Sequence, residues 1–366
     1  MRSPRATSFA VGALRPIACA LPALLLLACS SDGADAKAVP GQDASDATDA
    51  TDALATPEAA DSPDQVTCEP ALSDAGAGPS GYALDGWHWV RHGVLFEEAS
   101  AAETDGLLSP AALVVGDRLH LWVAKKTGVQ HRLFHASNDG AGFGQLQATS
   151  GLQGEDIIAY PSVLHDGARF LMWYGSGSID LAESQDGVSW AMVKQSVLSV
   201  GEAGAFDSMT LLYPSVIPDG AGYVMYYTGF DGQGFAIGRA VSSDGIAWTR
   251  SSTTPVMDVR AGEFDNHAVA QPCAVRAGQA LLLWYGGYDT SMANPGPYRI
   301  GLATSKDGLA FDRTGLTLDL EPSGVEAYST RDPAVARWKG EWWMAYVGMG
   351  DDRRYRLMTA TSQTCD

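Results

Sequence analysis

YPSVIPDGAGYVMYYTGFDGQGFAIGRAVSSDGIAWTR, residues Tyr213 to Arg250, decides the fold. The apolar run PSVI stops at Pro218-Asp219-Gly220, a turn in which proline presets φ and glycine tolerates its positive values. YVMYYTG follows, aromatic and β-branched as a half-buried strand should be. FDGQG is a loop, and AIGRAVS alternates apolar with small or polar residues. SDG is a second tight turn, and IAWTR is a last short strand. Four strands and three turns make one antiparallel sheet.

The same unit recurs along the chain. Ser-x-Asp-Gly-x-x-aromatic begins at Ser137, Ser184, Ser242 and Ser305 and ends at Phe143, Trp190, Trp248 and Phe311. Proline opens the first apolar run at Pro110, Pro161, Pro214, Pro272 and Pro333, and the second strand returns as LHLWVAK, FLMWYG, YVMYYTG, LLLWYGG and WWMAYVG. A period of roughly 50 to 60 residues belongs to propeller blades rather than to helical repeats. An all-β propeller of five four-stranded antiparallel blades is expected. The last copy stops at Ala360-Thr361-Ser362-Gln363, and its missing half stands at Asp85-Gly86-Trp87-His88-Trp89. An N-terminal strand is therefore expected to complete the last blade, removing two exposed sheet edges.

Ahead of the repeats lie two segments of different composition. Residues 1–28 carry Arg2, Arg5 and Arg15 and then the apolar run PALLLLA, which is too short for a membrane span and has the form of a secretory signal. Leu26-Leu27-Ala28-Cys29 resembles the bacterial lipobox, which makes Cys29 the expected lipidation site of an exported lipoprotein at the outer membrane or cell surface. Residues 29–65 are mostly Ala, Asp, Thr, Ser and Pro, with almost nothing to bury; they read as an acidic tether. Contact with a membrane is then expected through the lipid alone. The propeller occupies 66–366, as a monomer.

Export permits disulfides. Cys68 precedes the closing strand and Cys365 follows the last blade's third strand, so a Cys68–Cys365 bridge is expected to clamp the ring. Cys273, in QPCAV, suits a small buried core residue. Cysteines spaced this widely do not form a zinc site, and no metal or cofactor is expected. An ion in the channel near His267 stays open, beside the simpler reading of a satisfied inner-strand histidine. With 24 Lys and Arg against 43 Asp and Glu, the chain carries a formal charge of −19, which repels phosphate backbones and argues against nucleic-acid binding.

The Asp-Gly turns read as structural, Ser and Asp capping backbone amides while Gly takes positive φ. The opposite face carries the candidate chemistry. Seven positions before each first-strand proline stand Glu103, Gly154, Asp207, Asp265 and Glu326, with Glu155 and Asp156 directly after Gly154 and Asp332 directly before Pro333. Carboxylates brought together in one pocket raise one another's pKa, so an acid and an ionised partner coexist near neutrality. Glycoside hydrolysis needs that pair. Asp332, Glu326, Asp207 and Asp265 are the catalytic candidates; Arg331, Glu155 and Asp156 are candidates for holding substrate. Trp173, Tyr174, Tyr227, Trp284 and Tyr285 are candidate stacking surfaces for a carbohydrate partner. For Asp207 and Asp265 a second reading stands beside the first: aspartate after phenylalanine suits a buried loop anchor.

The repeat P-S-V, Asp-Gly, MYYTG, SxDGxxW over residues 80–363 resembles the five-bladed propeller glycosidases, that is, the arabinanases, xylosidases and the invertase and levanase group. The resemblance implies acid/base carboxylates at the starts of inner strands. Arg331-Asp332-Pro333 is similar to the invertase group's Arg-Asp-Pro, which implies that Asp332 binds sugar hydroxyls and stabilises the transition state. Ser109, Tyr160, Tyr213 and Gln271 fill the other slots before proline, where that family places an aspartate. A glycoside hydrolase is the leading expectation, ahead of a non-catalytic glycan-binding propeller and of a surface protein with no sugar ligand.

Overall fold

The computed structural model describes residues 89–98, 101–102, 104–152, 158–175, 177–289 and 297–362. These form twenty strands and no helix. The first unit is β2 (Gly106–Val115), β3 (Arg118–Thr127), β4 (Gln130–Asn138) and β5 (Gln147–Ala148), after β1 (Trp89–Phe96), which belongs elsewhere. The second is β6 (Ser162–His165), β7 (Phe170–Tyr174), β8 (Ile179–Ser184) and β9 (Trp190–Leu198). The third is β10 (Thr210–Asp219), β11 (Gly222–Phe230), β12 (Phe235–Ser242) and β13 (Thr249–Arg250). The fourth is β14 (Ala268–Ala277), β15 (Ala280–Tyr288), β16 (Arg299–Ser305) and β17 (Asp312–Leu318). The fifth has β18 (Ser329–Trp338), β19 (Glu341–Met349) and β20 (Tyr355–Ser362), and β1 pairs antiparallel with β20, Trp89 opposite Ser362.

Within each unit consecutive strands pair antiparallel. The second strand is the most apolar and the most buried: all of Phe170–Tyr174 is out of solvent, as is the run from Tyr223 to Phe230. Aromatic pairs then join each unit to the next. Trp190 packs on Trp122 (6.3 Å between centroids), Trp248 on Trp173 (6.2 Å), Phe311 on Tyr226 (5.6 Å), Trp89 on Trp284 (6.2 Å) and Phe143 on Trp343 (5.6 Å). Such edge and tilted contacts contribute about 0.5–1.5 kcal/mol each beyond their buried area. Three of the same rings also reach across by hydrogen bond. Trp122 Nε1 donates to the carbonyl of Gly187 (2.7 Å), Trp173 Nε1 to that of Gly245 (2.9 Å) and the Tyr226 hydroxyl to that of Gly308 (2.8 Å).

Those glycines are the turns that the sequence marks as structural. Asp186 Oδ1 accepts the amides of Val188 and Ser189 at 2.8 and 2.7 Å, and the Gly187 amide donates to Ser184 Oγ at 2.9 Å. Asp244 and Asp307 repeat the pattern. Gly187, Gly245 and Gly308 take φ of 73°, 72° and 71°, values that glycine adopts without Cβ strain. In the first unit the cap is Asn138, not Ser137: its Oδ1 accepts the amides of Gly140 and Gly142.

Cys29, Cys68 and Cys365 lie outside the described residues, as do residues 1–65 and the strand start at 85–88. Cys273 is a free thiol whose sulfur accepts the Val335 amide at 3.2 Å.

Candidate functional site: an axial mouth built from five residue–proline pairs

The first strands of neighbouring units touch one another. At their entrance one pocket is lined by Ser109-Pro110, Tyr160-Pro161, Tyr213-Pro214, Gln271-Pro272 and Asp332-Pro333, one pair from each unit. Proline keeps the preceding residue out of the right-handed helical region. Here all five preceding residues lie in the left-handed region, with φ of 52°, 58°, 49°, 59° and 52° in chain order. Each costs about 1–2 kcal/mol for a side chain other than glycine. Strand register slips at the same place in four units, between Leu108 and Ala111, Leu212 and Ser215, Ala270 and Cys273, and Arg331 and Ala334. A bulge of this kind re-aims a side chain that regular pairing would point along the sheet face.

Asp332 is 3% exposed and surrounded by donors. Its Oδ2 accepts the Ser109 amide (3.0 Å) and hydroxyl (3.4 Å), and its Oδ1 accepts Arg331 Nε (3.2 Å). The Asp332 amide in turn donates to Gln271 Oε1 at 3.2 Å. Arg331 is held from several sides: its guanidinium carbon lies 4.6 Å from the Tyr298 ring centre and 5.7 Å from that of Tyr355, and its Nη2 donates to the Tyr213 hydroxyl at 3.2 Å. Asp332 and these phenols hold the arginine's pKa above its ordinary value, so it stays charged although burial opposes it. Tyr160 and Tyr213 pack at 4.1 Å between centroids, and burial, then the Asp332 charge, pushes both phenols up. Tyr160, Tyr213 and Tyr355 are each only partly buried.

The other three catalytic candidates are placed elsewhere. Asp207 Oδ2 accepts the Tyr227 hydroxyl (2.9 Å) and Arg250 Nε (2.7 Å). Asp265 accepts the Tyr285 hydroxyl (2.8 Å) and Arg313 Nη1 (2.6 Å) on Oδ2, and Arg260 Nε at 3.4 Å on Oδ1. Glu326 Oε1 accepts the Tyr346 hydroxyl (2.7 Å), with Arg91 Nε at 3.3 Å. In each case the tyrosine comes from the unit's second strand and the arginine from its fourth, β13, β17 or β1. This clasp draws the carboxylate into its own blade, and none of the three lines the pocket around Asp332. Burial raises the pKa of Glu326 against the pull of Tyr346 and Arg91.

The aromatic candidates are likewise interior. Trp173, Tyr174, Tyr227, Trp284 and Tyr285 are all 0% exposed, so no sugar ring reaches them. Around Arg331 and Asp332 the partly exposed rings include Tyr160, Tyr213 and Tyr355. In the sequence, Tyr160 and Tyr213 are marked only by the slot before proline that recurs in all five units. His267 is exposed at the rim against Tyr288, with 5.0 Å between rings. Glu155 and Asp156 fall outside the described residues. Among the described residues no group of three or more His, Cys, Asp or Glu could hold a metal ion.

No family model matches the chain. An uncharacterised protein of Mycobacterium tuberculosis is 31% identical over 156 residues, 40% of this chain and 49% of that one. A sucrose-6-phosphate hydrolase of Zymomonas mobilis is 31% identical over 123 residues, 32% of this chain and 23% of the hydrolase. A 1,2-beta-oligomannan phosphorylase of Thermoanaerobacter sp. is 32% identical over 124 residues, 32% of this chain and 42% of the phosphorylase. The chain thus spans about half the length, or less, of these curated relatives. Among solved structures, the catalytic domain of a GH62 alpha-L-arabinofuranosidase from Coprinopsis cinerea superposes with a TM-score of 0.58 at 12% identity, over 76% of this chain and 98% of that domain. A thermostable family-43 glycoside hydrolase gives 0.55 at 13% identity, over 72% of this chain and 91% of that one. The chain therefore has the propeller fold of the family-43 and family-62 glycoside hydrolases.

Proposed function

We propose that this protein recognises carbohydrate at the axial mouth. The observation that carries the reading is the set of partly exposed Tyr160, Tyr213 and Tyr355 about the half-buried Arg331 and its buried partner Asp332. Apolar faces of a sugar stack on the rings, while its hydroxyls meet Asp332 and the phenols; a few convergent polar groups in an aromatic hollow are the common form of a small-ligand site. Binding ranks ahead of hydrolysis because Asp332 is the one carboxylate lining this pocket among the described residues, and hydrolysis by acid/base chemistry takes two.

Glycoside cleavage is the second reading, favoured by the fold shared with glycosidases. Its second carboxylate would come from Glu155 or Asp156, which precede β6 in the sequence. Export and a lipid on Cys29, a monomeric state and a Cys68–Cys365 bridge belong to the same proposal and rest on the sequence. Labelled palmitate that still enters a Cys29→Ala variant would remove the anchor from it.

Calorimetric titration of the purified chain with sucrose, 1,2-β-mannobiose and arabinotriose, sugars taken from the relatives and fold neighbours, tests recognition. Binding by at least one is expected, with a loss of about tenfold or more in Asp332→Asn and Tyr160→Leu. Glu326→Gln is expected to bind as the wild type does. A wild type that binds none of a broad sugar panel, or binding that survives both mouth variants, sinks the proposal. Reducing-sugar release that disappears in Glu155→Gln or Asp156→Asn would promote the hydrolytic reading above it.

A further inference from the structure

We propose that the floor of the axial mouth is a socket for a single neutral hydroxyl group, and that Gln271 is the residue that reads it. The inference rests on the carbohydrate reading and makes it specific. The pocket between the five residue–proline pairs has about 30 Å³ of space, enough to admit a water-sized group.

The orientation of the Gln271 amide follows from its neighbour. The Asp332 backbone N–H points at one of its terminal atoms, and only the carbonyl oxygen accepts, so that atom is Oε1. The amide also packs against Gly286, where a Cβ would come within 2.1 Å of Oε1. Nε2 is thereby turned away from the Asp332 amide. Gln271 is 2% exposed, and Nε2 has no hydrogen-bond partner among the described residues. A buried amide donor left in this state calls for an acceptor.

The rest of the lining says which acceptor. Asp332 and the Ser109 hydroxyl accept, and the Tyr160 and Tyr213 phenols both accept and donate. A group that takes a hydrogen bond from Gln271 and gives one to this lining is a hydroxyl. An ammonium has nothing to offer Nε2, and an anion would face the Asp332 carboxylate. Water shares the chemistry of a sugar hydroxyl, so the two sources are separated by comparing free and bound crystals.

Titrate wild type, Gln271→Met and Gln271→Glu with the same three neutral sugars, recording Tm for each variant. Gln271→Glu keeps an oxygen for the Asp332 amide while replacing the donor. Both variants are expected to lose about tenfold in affinity for the neutral sugar, the worth of one hydrogen bond, with Tm close to that of the wild type. In the crystal of the wild-type complex a sugar hydroxyl oxygen should stand within hydrogen-bond reach of Nε2, where the free crystal shows water. Affinity unchanged in Gln271→Met, or water retained on Nε2 in the complex, overturns the socket while leaving sugar recognition intact. Failure of the wild type to bind any sugar overturns both together. If either variant is unfolded, the pair of crystals decides alone.

Discussion

Asp265 stands twenty residues ahead of Tyr285 and accepts its phenolic hydroxyl at 2.8 Å. Asp207 with Tyr227 and Glu326 with Tyr346 repeat the separation and the bond, at 2.9 and 2.7 Å. A spacing kept in three units, each closed by an arginine from the fourth strand, belongs to blade construction rather than to a shared pocket. Asp265→Asn would strand Arg313, whose side chain is only 9% exposed, and breaking one partner of a buried pair costs about 3–5 kcal/mol. Asp207→Asn should cost less, because Arg250 is 26% exposed and water can take over its charge. Urea unfolding measures both. A fully stable Asp265→Asn variant that has lost sugar binding would return this carboxylate to the ligand site.

The clasp also needs space. A Cβ at Gly287 would lie 2.7 Å from Asp265 Cβ and 2.8 Å from the Phe264 ring, and one at Gly229 would meet Asp207 and Phe206 in the same way. These glycines stand near the end of the aromatic strand, where the acid-bearing loop rests on them. Gly287→Ala is expected to destabilise by about 1–3 kcal/mol, as overpacking does, and to leave sugar affinity unchanged in the folded fraction. A neutral effect on the unfolding midpoint would mean the loop yields without cost.

Blade repeat and turn chemistry were legible because each is written several times and in local signals. The role of the acids was legible only as two readings, catalytic group or buried loop anchor for Asp207 and Asp265, because the deciding partners are distant: Asp207 is settled by Arg250, and Asp265 by Arg313. The twenty-residue interval was there to be read, and its failures are informative. The same interval links Glu103 to Val123 and Gly154 to Tyr174, so the first two units lack one half of the clasp. Trp173 and Trp284 were misplaced for a related reason. An aromatic strand pattern looks the same whether its rings face a funnel or the next blade.

Acid sensitivity should come from histidines rather than from the mouth. Burial lowers His131 from 6.5 to about 4, helped by Lys126, and lowers His135 to about 4, helped by His120. His120, bonded to His135 at 3.0 Å, is also lowered to about 4, by burial and then Arg118. Below pH 6.5 the unfolded chain binds protons that the folded one refuses, so stability is present above 6.5 and is lost as pH falls toward 4. Glu326 works the other way: its raised pKa gives stability present below 4.5 and lost as pH climbs through the raised value. His131 and His135, 2% and 8% exposed, dominate, for a slope near 3 kcal/mol per pH unit at about 1.4 per proton. Urea midpoints between about pH 7 and 5 should fall accordingly, and His135→Phe should remove about one proton from the slope. A flat profile over that range contradicts the burial of these rings.

Trp89 tests how the last unit is completed. Its ring packs on Trp284 at 6.2 Å, its Nε1 donates to Thr317 Oγ1 at 3.1 Å, and its strand supplies the pairing edge for β20. Truncation to alanine removes a half-buried ring between two units and should cost about 2–4 kcal/mol, less than a fully buried tryptophan would. Deleting residues 1–96 goes further. It uncovers the whole β20 edge, together with the Glu326 carboxylate that Arg91 of the same strand faces. An open edge of paired-strand length recruits other chains, so light scattering should show association at concentrations where the intact chain is monodisperse. A monodisperse deletion variant with an unchanged unfolding midpoint would mean that β1 is an ornament on an already complete sheet.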